Sequence, residues 1–177
     1  MQSQNLPSRL EWWQRGPVTG ITPELQPVAH ALLQARDEIN AIMTDLPASK
    51  LWSPLHGMAS PAFHLQHITG VIDRLFTYAK GQTLSAEQMS FLKEEGLEKS
   101  GLDLLKLLES LHCRVDQAIE ELKEFGPGTA SVERFIGRKM IPTTQMGLLF
   151  HAAEHTMRHT GQLLVTVRTL KHSNPET

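Results

Sequence analysis

Apolar residues recur every three or four positions along most of this chain, the spacing that lines one face of an α-helix. The stretch "ITPELQPVAHALLQARDEINAIMTDLP" predicts a first long helix. Thr22 is its candidate cap, Pro23 suits a first turn where a missing N–H costs nothing, and Pro27 falls early enough to be tolerated. Pro47 marks the exit. The second helix follows the same grammar, with Ser60 as cap, Pro61 in first position, "AFHLQHITGVIDRLFTYAK" as body and Gly81 as stop. "LSAEQMSFLKEE" predicts a short connecting helix opened by a Ser85–Gln88 capping box. "SGLDLLKLLESLHCRVDQAIEELKEF" is the third long helix, ended by Gly126, Pro127 and Gly128; the fourth starts after Pro142 and runs to about Lys171. No stretch alternates as a strand would, and no repeat is visible. The expected fold is all-α: an antiparallel four-helix bundle with one short extra connecting helix. Its expected organisation is an irregular N-terminal arm over 1–21, a metal-binding bundle domain over 22–171 and a polar tail over 172–177.

Composition narrows the function classes. The 177 residues suffice for one domain with a substantial core, and 17 basic against 19 acidic residues give no positive footprint for a nucleic acid. No run approaches the roughly 18 apolar residues of a membrane helix, so no membrane partner is expected. "MQSQNLPSRLEWWQRGP" has no apolar signal core. Cys113 is the only cysteine, which excludes an intramolecular disulfide and suits a reducing compartment. The expectation is a cytoplasmic protein with Cys113 buried and inert in its leucine-rich helix.

The chemistry is concentrated in histidine. "HAAEHTMRHT" places His151, His155 and His159 at four-residue intervals on the fourth helix. Each step of four advances only about 40° around the axis, so all three share a slanting stripe. Neighbours four apart face each other and can share one ion. His151 and His159 lie about 12 Å apart along the axis, so one ion cannot take all three. Leu148, Leu149, Ala152, Leu163, Val167 and Leu170 define the core side; His159 points into it, His155 lies at its edge and His151 furthest out. The inward pair is therefore His155 and His159, and a metal site needs a further ligand from another helix. Without one, the plain reading is a stripe of histidines bonded to water and neighbours.

Two competing motifs are weaker. "HAAEH" fits the His-x-x-Glu-His pattern of inverted zinc proteases, with Glu154 as base. That pattern needs a downstream acidic ligand, and the 22 residues after His155 hold only Glu176. A di-iron bundle needs two Glu-x-x-His motifs, of which the chain offers one, Glu109 to His112.

The third ligand has two candidates, His64 and His67 in "AFHLQHITG". Leu65, Ile68, Val71, Ile72, Leu75 and Phe76 mark the core side there, and on this wheel His64 points deeper while His67 lies at the margin. Periodicity alone favours His64.

"FHLQHITGVIDRLFTYAKG", followed by "GLLFHAAEHTMRHTGQLL" beginning about 80 residues further on, resembles the DinB/YfiT-like superfamily of bacterial four-helix bundles. The resemblance spans roughly 22–171 in the order and lengths of its helices. It implies one divalent ion held by a histidine early in the second helix and a His-x3-His pair in the fourth. Matched to "HIT" and "EHTMRHTGQ", those ligands are His67, His155 and His159, with His64 left as a supporting or packing residue. It also implies a homodimer and, in some members, thiol-dependent transferase or isomerase activity. "EWWQRGP" lies outside the family pattern.

Three neutral imidazoles leave a coordination position open and suit zinc, nickel or iron(II). The expected function is a mononuclear metal-dependent transferase or hydrolase acting on a small molecule, with a thiol as candidate cosubstrate. The alternative is a metal-binding or stress-associated bundle without turnover. No residue is assigned as catalytic. Glu154, Arg158, Gln162 and Thr166 lie on or beside the stripe, and Gln162 is placed to support a ligand ring, although solvated side chains are the simpler reading. Asp73 and Arg74 are expected to make surface contacts, Tyr78 to pack, and Trp12 and Trp13 to bury the arm against the bundle or cover a cleft.

Overall fold

The computed structural model describes residues 10–172. Residues 1–9 of the expected arm and 173–177 of the expected tail lie outside the described residues. The chain is mostly helical: α1 (Gln26–Met43), α2 (Pro61–Ala79), α3 (Ala86–Glu94), α4 (Leu104–Glu124) and α5 (Gln145–His172), with a two-stranded sheet of β1 (Glu133–Ile136) and β2 (Ile141–Thr144). Among the described residues, no helix is long and apolar enough to cross a membrane.

The long helices form because their apolar stripes meet. α2 and α1 each pack against both α5 and α4. Their shared core includes Leu32 and Ile39 from α1, Leu65, Ile72 and Phe76 from α2, Leu111 and Leu122 from α4, and Leu149 and Leu163 from α5, all buried. Burial of each such side chain stabilises the fold by about 1.5–3 kcal/mol.

The helix ends show which local signals operate. The Ser60 side chain accepts from Phe63 N at the start of α2, and Ser85 with Gln88 forms the expected capping box of α3. Asp103 caps α4 by accepting from Lys106 N. Thr22 makes no side-chain cap bond, because Pro23–Leu25 form a 3-10 turn and α1 begins only at Gln26. Trp12–Arg15 form another 3-10 turn held along α1: Trp12 Nε1 donates to Asp37 Oδ2 at 2.9 Å, and Arg15 lies over the Trp12 ring at 4.4 Å. Trp12 thus packs against the first helix, whereas Trp13 is exposed.

Two expectations need correction. The segment before α5 is not strand-free, since Glu133–Ile136 pair antiparallel with Ile141–Thr144. Four-residue strands are too short to show alternation, and Pro142, which cannot donate to a ladder, hides the second. Gly137 and Met140 adopt positive φ in the connection. The hairpin also closes the end of α2, because Arg134 Nε donates to Ala79 O at 2.7 Å and Gln145 Nε2 donates to the same carbonyl at 3.2 Å. That carbonyl has no partner within its own helix. Cys113 is exposed rather than buried, because it lies on the outer flank of α4, where the Gln117 amide reaches it.

Candidate metal centre

Four imidazoles meet in the seam between α2 and α5. α2 contributes His64 and His67, and α5 contributes His155 and His159. Ring nitrogens of His67, His155 and His159 come within 4.8 Å of one another. His67 Nε2 lies 2.9 Å from His155 Nε2, and the His67 and His159 ring centroids are 4.5 Å apart. Phe63, one turn before His67, stacks on its ring at 5.1 Å and 11°.

His64 lies deeper, as its helical phase requires: it is 4% exposed, against 19% for the His67 side chain. Its Nδ1 meets His159 Nδ1 at 3.0 Å. The residue at the margin of the packed face therefore joins the three-histidine group, and the deeper one backs it. Depth did not identify the member of the converging group, because a helical wheel reports burial and not which ring nitrogens meet across the seam.

Burial and neighbouring cations favour the neutral form of His64, His155 and His159. Burial first, and then neighbouring His67, lower the pKa of His64 from 6.5 to about 4. His159 is also pushed down to about 4, by burial first and then by His67, His155, His64 and Arg158. His155 is lowered by burial, then by His67, His151 and Arg158, with Glu154 opposing. Neutral imidazole is the form that ligates a metal.

The donor set fits a divalent transition ion on two further observations. Two nitrogens about 2.0–2.1 Å from one zinc lie roughly 3 Å apart, close to the observed His67–His155 spacing. His155 Nδ1 is buried without a hydrogen-bond partner, so this ring is not held there as an ordinary hydrogen-bonded histidine.

The other sequence candidates separate around this cluster. His151 Nδ1 lies 3.3 Å from Glu154 Oε2, and His151, Glu154 and His155 form a second, more exposed group with donor atoms within 4.8 Å. Glu154 also pairs with Arg158, whose hydrogen bond holds its carboxyl below the usual range. Gln162 is exposed and Thr166 is buried. Tyr78 packs partly buried against the core. His112 Nε2 lies 2.8 Å from Asn40 Oδ1, and the Glu109–His112 fragment is in neither converging donor group.

Two polar residues were not legible as site neighbours. Glu95, just after α3, places Oε2 2.7 Å from His67 Nδ1, and its Oε1 accepts from Arg74 Nη1 at 2.6 Å. Arg74 is thus buried and paired, not a surface residue, because α3 folds back over this side of α2. Glu95 carries no sequence signal, sitting in a run of charges with no helical relation to any histidine.

A family model of the DinB superfamily matches residues 31–163, from within α1 through most of α5. The chain belongs to the DinB superfamily. Its fold is similar to the crystal structure of a DinB-like protein, YjoA, from Bacillus subtilis, with a TM-score of 0.59, 19% identity, and coverage of 85% of this chain and 96% of that one. No curated protein matches the chain. DinB-like proteins typically bind metal, and the histidine cluster described above is a possible ligand set.

Proposed function

We propose that His67, His155 and His159 hold one divalent ion per chain, zinc, nickel or iron(II), in an antiparallel four-helix bundle, and that this centre performs a transfer or a hydrolysis on a small molecule. A thiol is the candidate cosubstrate of the transfer. The observation that carries the reading is the convergence of three ring nitrogens from two helices, each ring only half-buried, so that the cluster keeps a side open to solvent. When bound, such an ion supplies a Lewis acid that polarises a carbonyl or acidifies a water or thiol. The chain's own residues supply position and charge. His64 contacts the His159 ring from behind and fixes its orientation. Arg158, half exposed beside His155 and His159, offers a cation to an anionic group of the substrate, and Glu154 restrains that guanidinium. Dimerisation and a cytoplasmic setting belong to the same proposal; light scattering on the purified protein reads the first directly.

A second reading is a metal-binding protein without turnover. Glu154 favours it, because it lies close enough to His155 to add a carboxylate ligand and close the site. Cobalt-substituted protein separates the two. A visible spectrum that shifts on adding a small thiolate supports the open, reactive centre; a spectrum indifferent to thiolates and anions supports the closed one. Stoichiometric metal in a variant lacking both His155 and His159 would sink the ligand assignment itself.

A further inference from the structure

Building on the metal reading above, we infer that Glu95 is the positioning residue of the centre: its carboxylate locks His67 as the Nδ1–H tautomer, aims the Nε2 lone pair at His155 and His159, and couples the α3 segment to ion binding. A carboxylate can only accept, so the 2.7 Å contact from Glu95 Oε2 puts the proton on His67 Nδ1. The remaining nitrogen, Nε2, is the one 2.9 Å from His155 Nε2. Two lone pairs at that distance repel unless a proton or a cation lies between them.

The arrangement is built rather than incidental. The Glu95 side chain is 4% exposed, and a carboxylate so far from water needs compensating partners. Arg74 Nη1 supplies one at the other oxygen, at 2.6 Å. Gly70 makes the room: a Cβ there would run into Glu95 Oε1, Arg74 Nη1 at 2.5 Å and Phe91 Cε1 at 2.9 Å. Gln66 Oε1 accepts from Gly96 N at 2.7 Å, which pins the backbone just beyond Glu95. Gly96 itself has φ +86°, and a side chain there would press on Phe63, the residue stacked on His67.

Phe63, Gln66, His67, Gly70 and Arg74 follow one another at helical spacing, so a single face of α2 grips Phe91, Glu95 and Gly96. α3 contains no buried residue of its own, so it is held by this clasp and, at its other end, by Gln88 Nε2 donating to Asp73 Oδ2 at 2.7 Å and Thr77 Oγ1 at 2.8 Å. An Arg74–Glu95 pair alone would suffice to anchor a loop. The second oxygen on a ring of the cluster gives the carboxylate its further role, the one by which a histidine ligand's tautomer and direction are set. Coupling of this kind is reciprocal, so an ion at His67 must also hold α3 down.

The test is Glu95→Gln, which keeps shape and removes the obligate acceptor. In ion-free wild-type protein above pH 7, ¹⁵N NMR should read His67 as the Nδ1–H tautomer, and zinc should slow amide exchange across 86–96. In Glu95→Gln the tautomer signature should be lost, zinc affinity in a chelator competition should fall by about 10–100-fold, and exchange across 86–96 should no longer respond to zinc. Gly70→Ala, which displaces the pair while keeping every polar group, should weaken zinc in the same direction and carries the test if Glu95→Gln misfolds. Unchanged His67 tautomer and zinc affinity within twofold of wild type in the folded variants overturn the inference. If wild-type protein takes up no zinc, the metal reading fails, and the NMR comparison still decides whether Glu95 sets the His67 ring.

Discussion

The seam between α2 and α5 and the face shared by α1 and α4 both carry histidine, and they use it in opposite ways. On the α1–α4 face His112 Nε2 meets Asn40 Oδ1, an oxygen that accepts, and the contact is complete as it stands. His30 likewise meets the Gly16 carbonyl. In the α2–α5 seam, rings meet rings: His67 with His155, and His64 with His159. Nitrogen facing nitrogen is complete only with a shared proton or a cation. A surface groove of about 990 Å³, lined by Leu33, Glu109, His112 and Ile119 among others, lies on the α1–α4 side. A sizeable groove is therefore not where the imidazoles converge, and partner identity points to the chemistry. Three converging ring nitrogens outweigh a groove whose side chains form no such donor group among the described residues.

The comparison breaks first if the seam does not bind metal. His155→Ala with His159→Ala should lower zinc affinity by more than about a hundredfold, beyond what loss of a ligand's supporting partner achieves. His112→Ala should leave it unchanged; chelator competition on the three proteins checks both arms. Next in size is the effect of the ion on folding. Zinc at about a thousand times its dissociation constant should add roughly 4 kcal/mol, which raises Tm by about 8–16 °C, and EDTA should reverse it. Calorimetry reads this directly.

Proton linkage sharpens the contrast further. His64 and His159 are held at about 4 when folded, against 6.5 ordinarily. As pH falls below about 6.5 the unfolded chain takes up protons that the folded one refuses, so metal-free stability should drop progressively down to about pH 4 and then level for these groups. Denaturant titrations across that window should show the slope, and His64→Gln should make it shallower. The smallest effect belongs to the α1–α4 side, where His112→Ala should cost about 0.5–1.5 kcal/mol for one lost hydrogen bond, read by denaturant titration.

Most of the helices were legible because their cores obey a local period. Ser60, Ser85 and Gln88 do at the helix ends what their chemistry leads one to expect. The hairpin was not, because two four-residue strands are held by each other and by the Ala79 carbonyl rather than by an alternating buried face. Within the site, the phase of α5 separated His155 and His159 from His151, and the phase of α2 ranked His64 as deeper than His67. The same depth argument favoured His64, whereas the converging group contains His67, since a wheel reports distance from the core and not which nitrogens meet across two helices.

By itself, then, the sequence determined which side chains share a helical face, since α-helical geometry fixes the angle between residues a few positions apart. It also carried the family resemblance, through two histidine-bearing segments on separate helices. Only the tertiary structure decided that His67 meets His155 across 88 positions, that Glu95 reaches back 28 positions to its ring, and that Arg74 is buried against that carboxylate. Those meetings depend on how loops return one helix onto another, and the residues that set that path, Gly70 and Gly96 among them, have no periodicity to reveal them.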